Sequence, residues 1–357
     1  MSTLKFFNNL KVLDLSTVLA GPSVGTFLAE LGAEVIKVEH PENPDVTRSW
    51  KLASEKKDTT SAYFASVNYG KSYEKLNLSK SKDYERFISM VEESDVLLMN
   101  FKHGDQRKLK ITDDQLWKVN PKLIVGKISG FGNESDRVAY DLILQAETGF
   151  MSMNGNPDAH PTKMPVAFID ILAAHHLKEG LLLALMDRMI SNRGSCVEVS
   201  LYDAALCSLA NQASNYLMTG EIPKRMGSLH PNIAPYGEIF TTRDSVEFTL
   251  AIGSDQHFNR LLSILNISEL GVDDRFSTNQ ARVKNREELS VILAEKLIYF
   301  ESTELFNILH SEKIPFGEIK NLDKVFMDSN AKELIREDQL TNTKGKRMTS
   351  IAFKWKK

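Results

Sequence analysis

The residue with the most chemical potential in this sequence is Asp170. It stands in Met164-Pro165-Val166-Ala167-Phe168-Ile169-Asp170-Ile171-Leu172-Ala173-Ala174, one carboxylate between two apolar runs. A carboxylate so placed has two uses. At the entry of an apolar helix it is an N-cap, its oxygen accepting from the first free backbone amides. Presented in a cleft it is a nucleophile or general base, ionised near pH 7 with an ordinary carboxylate pKa. His175 and His176 follow on the same predicted helix. Neighbouring helical positions point about 100° apart, so the two cannot share a site and read as packed or solvated side chains. Cys196 and Cys207 have no metal-ligand spacing and read as buried, reduced thiols.

Positioning such a carboxylate requires a scaffold, and hydrophobic periodicity supplies one. Lys11 to Leu15 reads as a strand, Val24, Phe27, Leu28 and Leu31 as one face of a helix that stops at Gly32, and Glu34 to Glu39 as a second strand. A right-handed crossover makes these strands parallel, and ligands of parallel sheets gather beyond the carboxyl ends, here Ser16 to Pro22 and His40 to Pro44. Tyr84, Phe87, Ile88 and Val91 mark another helix, Val96 to Phe101 a strand, and Leu123 to Gly132 a strand that closes in Ser129-Gly130-Phe131-Gly132. No G-x-G-x-x-G follows the first strand, so a nicotinamide dinucleotide fingerprint is missing. After the turn Asn154-Gly155-Asn156-Pro157, the Asp170 segment enters a long apolar helix ending at Asn192-Arg193-Gly194. Cys196 to Leu201 reads as one more strand and Tyr202 to Met218 as a helix of small and apolar residues suited to an interface.

Beyond Thr219-Gly220 the organisation changes. Tyr236 to Thr241 and Val246 to Ile252 read as a hairpin, followed by helical patterns at Phe258 to Leu265 and Leu289 to Leu297. The domains are therefore expected at 1–219, completed by 315–357, and at 220–314. The 357 residues are 42% hydrophobic and 25% charged, an ordinary globular composition. A net charge of -3 with scattered Lys and Arg disfavours nucleic acid as a partner. The stretch Met1 to Phe7 lacks the pattern of a secretory leader and no apolar run reaches membrane-span length, so the expected location is the cytoplasm.

The run Val12 to Pro22, followed by Leu31-Gly32-Ala33-Glu34-Val35-Ile36-Lys37-Val38-Glu39, resembles the family III CoA-transferases, a group that includes formyl-CoA and carnitine-CoA transferases and α-methylacyl-CoA racemases. The resemblance extends through Val67 to Ser72, Asn100-Phe101, Ser129 to Gly132, Tyr140-Asp141, Asp170, His230 to Tyr236 and Asp274-Arg275-Phe276. It implies an α/β fold, with a Rossmann-like large domain carrying a parallel sheet plus a smaller α+β domain, and two protomers interlocked as a homodimer. It implies that CoA lies across the strand-end loops at Val18, Leu19, Ala20, His40, Lys71, Asn100, Phe101, Lys108 and Arg137, where cations meet phosphates and apolar or aromatic faces meet adenine. His40 departs from the arginine often found there.

The resemblance also makes Asp170 the nucleophile of a CoA transfer from an acyl-CoA to a carboxylic acid, through an aspartyl-CoA thioester. The substrate is a CoA thioester, with no permanently bound cofactor and no metal. Gly227 and Ser228 are candidates for the loop that donates to the oxyanion. In the racemase branch a histidine would occupy the position of Tyr140; an unperturbed tyrosine titrates near 10 and is a poor base at neutral pH, so Tyr140 reads as a wall of the acyl pocket. The alternatives are that racemase and a CoA-binding scaffold without turnover, the second suggested by a chain that stops soon after Trp355.

Overall fold

A computed structural model describes residues 5–132, 134–340 and 343–356. Met1 to Leu4, part of the N-terminal stretch read above, lie outside them. The chain forms two compact units. The large one takes residues up to Met151, Lys163–Glu221 and the chain from Lys332; the small one takes Ser152–Thr162 and Ile222–Ala331.

The large unit is built on strands β1 (Lys11–Asp14), β2 (Glu34–Glu39), β3 (Ser72–Lys75), β4 (Val96–Met99), β5 (Ile124–Ser129) and β6 (Cys196–Ser200). They form one parallel sheet in the order β3-β2-β1-β4-β5-β6. That order reverses direction between β1 and β4, and such a reversal opens a crevice beyond the carboxyl ends of the two strands. Successive residues of a strand point to opposite faces. Accordingly Val12, Leu98 and Ile124 join a core with helix α1 (Ala20–Glu30), while their neighbours Leu13, Leu97 and Val125 join a second core under Phe87 and Leu116.

Short helices α2 (Ala62–Ser66), α3 (Ser81–Glu92), α4 (Asp105–Lys108), α5 (Asp113–Val119), α6 (Asp141–Glu147) and α7 (Phe150–Met153) connect the strands and lead to α8 (Phe168–Ser191). Helix α8 buries Ile169, Asp170, Ala173, Ala174, Leu177, Leu181 and Ala184, a stripe at helical spacing that seats its first turn against the sheet. The segment expected as one helix from Tyr202 is two, α9 (Leu201–Cys207) and α10 (Ala210–Thr219), broken where Ala210 takes a φ of 47°. Both cysteines are free, Cys196 is half-buried and Cys207 exposed; the expectation of two buried thiols fails because Cys207 ends α9 on its outer side.

In the small unit β7 (Tyr236–Thr241) and β8 (Glu247–Ala251) form the expected hairpin, and β9 (Phe316–Glu318) adds antiparallel to β8. The aromatic and leucine core beneath it contains Phe240, Phe248, Phe258, Leu261, Leu293 and Leu305. Because β9 hydrogen-bonds to β8, the chain leaves this unit at Ala331 and not at 314 as the sequence reading placed it. A final hairpin, β10 (Ile335–Leu340) and β11 (Thr343–Met348), returns to the large unit. There Arg347 on β11 and Glu30 on α1 form a buried ion pair.

Candidate active site

A cleft of about 410 Å³ opens at the switch point of the sheet. Its walls are the loops after β1 (Thr17 to Ala20), β4 (Phe101 to Gly104) and β5 (Gly130, Gly132), together with Tyr140, and Asp170 lies among them. Gly130 shapes one wall: a Cβ there would lie 2.2 Å from the Cβ of Ala139. All the lining residues belong to the large unit.

Asp170 is the third residue of α8 and only 7% exposed. It does not cap the helix. The cap comes from Asp141, the first residue of α6, whose Oδ1 accepts from the Ile169 amide at 2.7 Å while its Oδ2 accepts from Gln145 at 2.6 Å. With the helix amide satisfied from outside, the Asp170 carboxyl has no hydrogen-bond donor or cation paired to it among the described residues. Burial, reinforced by the neighbouring Asp141 charge, raises its pKa to about 7. The carboxylate is thus half-ionised near neutrality, correcting the ordinary pKa expected from the sequence, because apolar packing around the first turn of α8 strips its hydration. Tyr63 on α2, which the sequence reading passed over, senses the same charges. Burial and the carboxylates of Asp170, Asp141 and Asp45 push its hydroxyl up to about 12, so it stays a neutral donor. Its ring packs edge-on against Trp50, with centroids 5.2 Å apart.

Of the residues assigned to CoA, Val18, Leu19, Ala20, Asn100, Phe101 and Arg137 line the cleft with Asp170, as does Tyr140, the expected wall of the acyl pocket. Asn100 is committed to the loop itself: its Oδ1 accepts from the Thr17 amide at 3.0 Å and its Nδ2 donates to the Thr17 carbonyl at 2.9 Å. Arg137 stacks on Phe131 at 3.8 Å and pairs with Glu147 at 2.6 Å. Tyr140 is half exposed at the start of α6.

Three cationic or basic residues expected to meet CoA are not among the lining residues. Lys71 is enclosed, its ammonium donating to Asp14 at 2.7 Å and to Pro22, Val67 and Asn68 oxygens within 3.0 Å. Burial opposes charge on Asp14, but the Lys71 and Lys37 ammoniums hold its carboxyl below the usual range, so the pair stays ionic. Gly25 on α1 makes room for it, since a Cβ there would lie 2.9 Å from the Asp14 carboxylate. Lys71 therefore staples β3 to β1 and offers nothing to a phosphate. His40 is outside the cleft wall; its Nδ1 accepts from the Glu42 and Asn43 amides at 3.2 and 3.1 Å and holds the turn after β2. Lys108 pairs with Asp105 one turn back on α4 and also lies outside the wall. Its neighbour Arg107 lines the cleft, as does Lys102, and neither has an ion-pair partner among the described residues. The phase of a single helical turn decides which of two adjacent cations faces the site, and sequence alone does not give it.

Gly227 and Ser228 belong to the small unit. The Gly227 amide donates to the Gly155 carbonyl at 2.9 Å, so that expected oxyanion donor is engaged within the small unit, and the Ser228 hydroxyl donates to the Gly237 carbonyl at 2.5 Å. The one group of described residues with metal-ligand geometry, Asp113, Cys196 and Glu198, already holds a cation, the Lys127 ammonium, which reaches Asp113 at 2.7 Å and Glu198 at 3.1 Å.

The profile of CoA-transferase family III matches residues 7–357. The chain belongs to this family. It is 35% identical over 328 residues to a succinate–glutarate CoA-transferase of Agrobacterium fabrum, spanning 90% of this chain and 82% of that protein. It is 33% identical to an acetyl-CoA:oxalate CoA-transferase of Acetobacter aceti, spanning 88% and 80%. Among solved structures it is similar to a CAIB/BAIF family protein from Brucella suis, with a TM-score of 0.82, 36% identity and coverage of 97% and 91%. CoA transfer between an acyl-CoA and a carboxylate is therefore the chemistry of this chain. No helix among the described residues is long and apolar enough to cross a membrane.

Proposed function

We propose that the cleft transfers CoA from a donor acyl-CoA to a carboxylic acid through covalent intermediates on Asp170. The Asp170 carboxylate attacks the thioester carbonyl, the C–S bond breaks, and CoA leaves as thiolate from a mixed anhydride. The thiolate then attacks the Asp170 carbonyl of that anhydride and releases the donor acid, leaving an aspartyl-CoA thioester. An acceptor carboxylate repeats the sequence in reverse, so no water or redox partner enters the balance. The observation that carries this reading is a buried carboxylate, without a capping bond or ion pair among the described residues, in a cleft at the switch point of the sheet. Its raised pKa makes it more basic than a solvated carboxylate and so a stronger nucleophile once ionised.

Arg107 and Lys102 supply unpaired cations for the phosphates of CoA, and the Val18 to Ala20 and Phe101 walls supply its apolar contacts. Succinate, glutarate and oxalate in the names of the relatives support small dicarboxylates as the acids exchanged. A homodimer suits the surface: Met189 and Ile190 on α8 and Leu217 and Met218 on α10 are 79–89% exposed, apolar side chains of the kind an interface covers. The interlocked form remains part of the proposal. The test is exchange between succinyl-CoA and glutarate or oxalate, followed by chromatography of the CoA esters. New ester formed by the wild type and lost in Asp170→Ala supports the reading. Deuterium entering the α-carbon of an acyl-CoA without ester exchange would replace it by epimerisation.

A further inference from the structure

Val18 has a φ of 73°, a left-handed conformation in which a β-branched residue is a genuine outlier. Such a conformation persists only where its surroundings over-determine it. Here three polar side chains hold the backbone on either side. Lys37 donates to the Ser16 carbonyl at 2.7 Å. Asn100 takes both polar groups of Thr17. Asp45 accepts the Val18 amide, at 3.2 Å to Oδ2 and 3.4 Å to Oδ1.

Asp45 is itself fixed. Its side chain is fully buried, its Oδ2 lies 3.1 Å from the Lys37 ammonium, and its Oδ1 accepts from the Thr47 amide and hydroxyl at 3.0 and 2.7 Å. Neither Lys37 nor Asp45 lines the cleft, whereas Val18, Leu19 and Ala20 all do. The left-handed residue is what turns the chain from β1 directly into α1, whose N-cap Leu19 has no side-chain hydrogen bond of its own. Released to a negative φ, Val18 would redirect the wall formed by Leu19 and Ala20.

We infer that Asp45 is a positioning residue for CoA transfer, holding the Val18 backbone in the left-handed conformation that sets the wall of the cleft containing Asp170. The inference rests on the transferase reading above. The bland alternative is that Asp45 only neutralises Lys37 and caps the turn Val46–Ser49. The two differ in whether glycine at position 18, which reaches positive φ without strain, makes the clamp dispensable.

The experiment compares wild type with Asp45→Asn, Val18→Gly, the combination of both, and Val18→Ala. It measures KM for the acyl-CoA and kcat separately, and the melting temperature of each protein. Asp45→Asn should raise KM by roughly tenfold with a smaller change in kcat. The combined variant should fall within about threefold of Val18→Gly alone, the signature of two residues acting as one unit. Val18→Gly should also melt above Val18→Ala, the reverse of the usual order, because alanine keeps the left-handed penalty and glycine removes it. Full multiplication of the two single effects, or Val18→Gly melting below Val18→Ala, would overturn the inference. If Asp45→Asn fails to fold by itself, a combined variant that folds with a KM within about threefold of Val18→Gly supports the inference, and a combined variant that also fails to fold overturns it. Absence of any CoA exchange in the wild type would overturn the transferase reading and leave the clamp to be tested by melting alone: Asp45→Asn should lower the melting temperature less in the Val18→Gly background than in the wild type, and equal losses would overturn the inference.

Discussion

Replacing Asp141 by asparagine separates the two causes that hold the Asp170 carboxyl near pH 7. Asparagine keeps the Oδ1 that accepts from Ile169, so the first turn of α8 stays capped while the neighbouring charge disappears. In the wild type, burial and then Asp141 raise the Asp170 pKa from 3.8 to about 7. A nucleophilic carboxylate must be ionised, so at pH 6 about a tenth of the enzyme is competent and at pH 8 about nine-tenths, and kcat/KM should rise roughly tenfold between them. Burial is the larger cause. Removing Asp141 should therefore recover less than half of the rise, moving the midpoint below about 7 and leaving the variant at pH 6 with a larger share of its own plateau than the wild type has. The assay is CoA-ester exchange from pH 5 to 9. The 3′-phosphate of CoA, a monoester with a second pKa near 6, titrates in the same window, but it is common to both proteins and cancels in their comparison. A wild-type midpoint near 4, or a midpoint unchanged or raised in Asp141→Asn, would refute the reasoning.

Three further outcomes follow from the same geometry. Because the folded pKa of Asp170 lies above its unfolded value, stability is fullest below about pH 4 and declines as pH rises toward 7; the ceiling on this loss is about 4 kcal/mol. Asp170→Asn should thus unfold later than wild type in denaturant at pH 8, by about 1–3 kcal/mol after relaxation and water entry are allowed for, with the difference vanishing near pH 4; equal stability at both pH values would contradict it. Lys71→Ala removes the ammonium in direct contact with the buried Asp14 charge and should cost about 3–5 kcal/mol in urea unfolding. A variant as stable as wild type with weaker CoA binding would restore Lys71 to the phosphate site. Arg107→Ala should weaken CoA binding roughly tenfold by titration calorimetry, as expected for a charge-assisted phosphate contact, and Lys108→Ala should change it less than about twofold, its exposed pair with Asp105 contributing little; the reverse ranking would mean the α4 turn presents the other cation.

Much of this architecture was legible in the residues, and the reasons are local. The alternation of Val12 with Leu13 and of Leu97 with Leu98 marks buried parallel strands, and the stripe from Ile169 to Ala184 marks α8, because burial on a face imprints its period on the sequence. The site was less legible where a side chain answers to residues far along the chain. Within its own segment Asp170 reads equally as a cap or a nucleophile, until Asp141, on another helix, is seen to do the capping. Lys71 reads as a phosphate ligand until β3 and β1 bring it onto Asp14, 57 positions away. The left-handed Val18 leaves no trace in composition, since a glycine would normally announce such a turn. The break between α9 and α10 and the late addition of β9 escaped for a related reason: short elements carry too few residues for a period to show.

The covalent role of Asp170 is the central claim, and mass spectrometry of the protein tests it most directly. Wild-type enzyme incubated with acyl-CoA and no acceptor, then quenched and digested, should carry CoA on the peptide containing Asp170. Hydroxylamine should convert that thioester to the hydroxamate, and Asp170→Ala should carry neither. Undiminished CoA exchange by Asp170→Ala, or an adduct on a different carboxylate, would contradict the account.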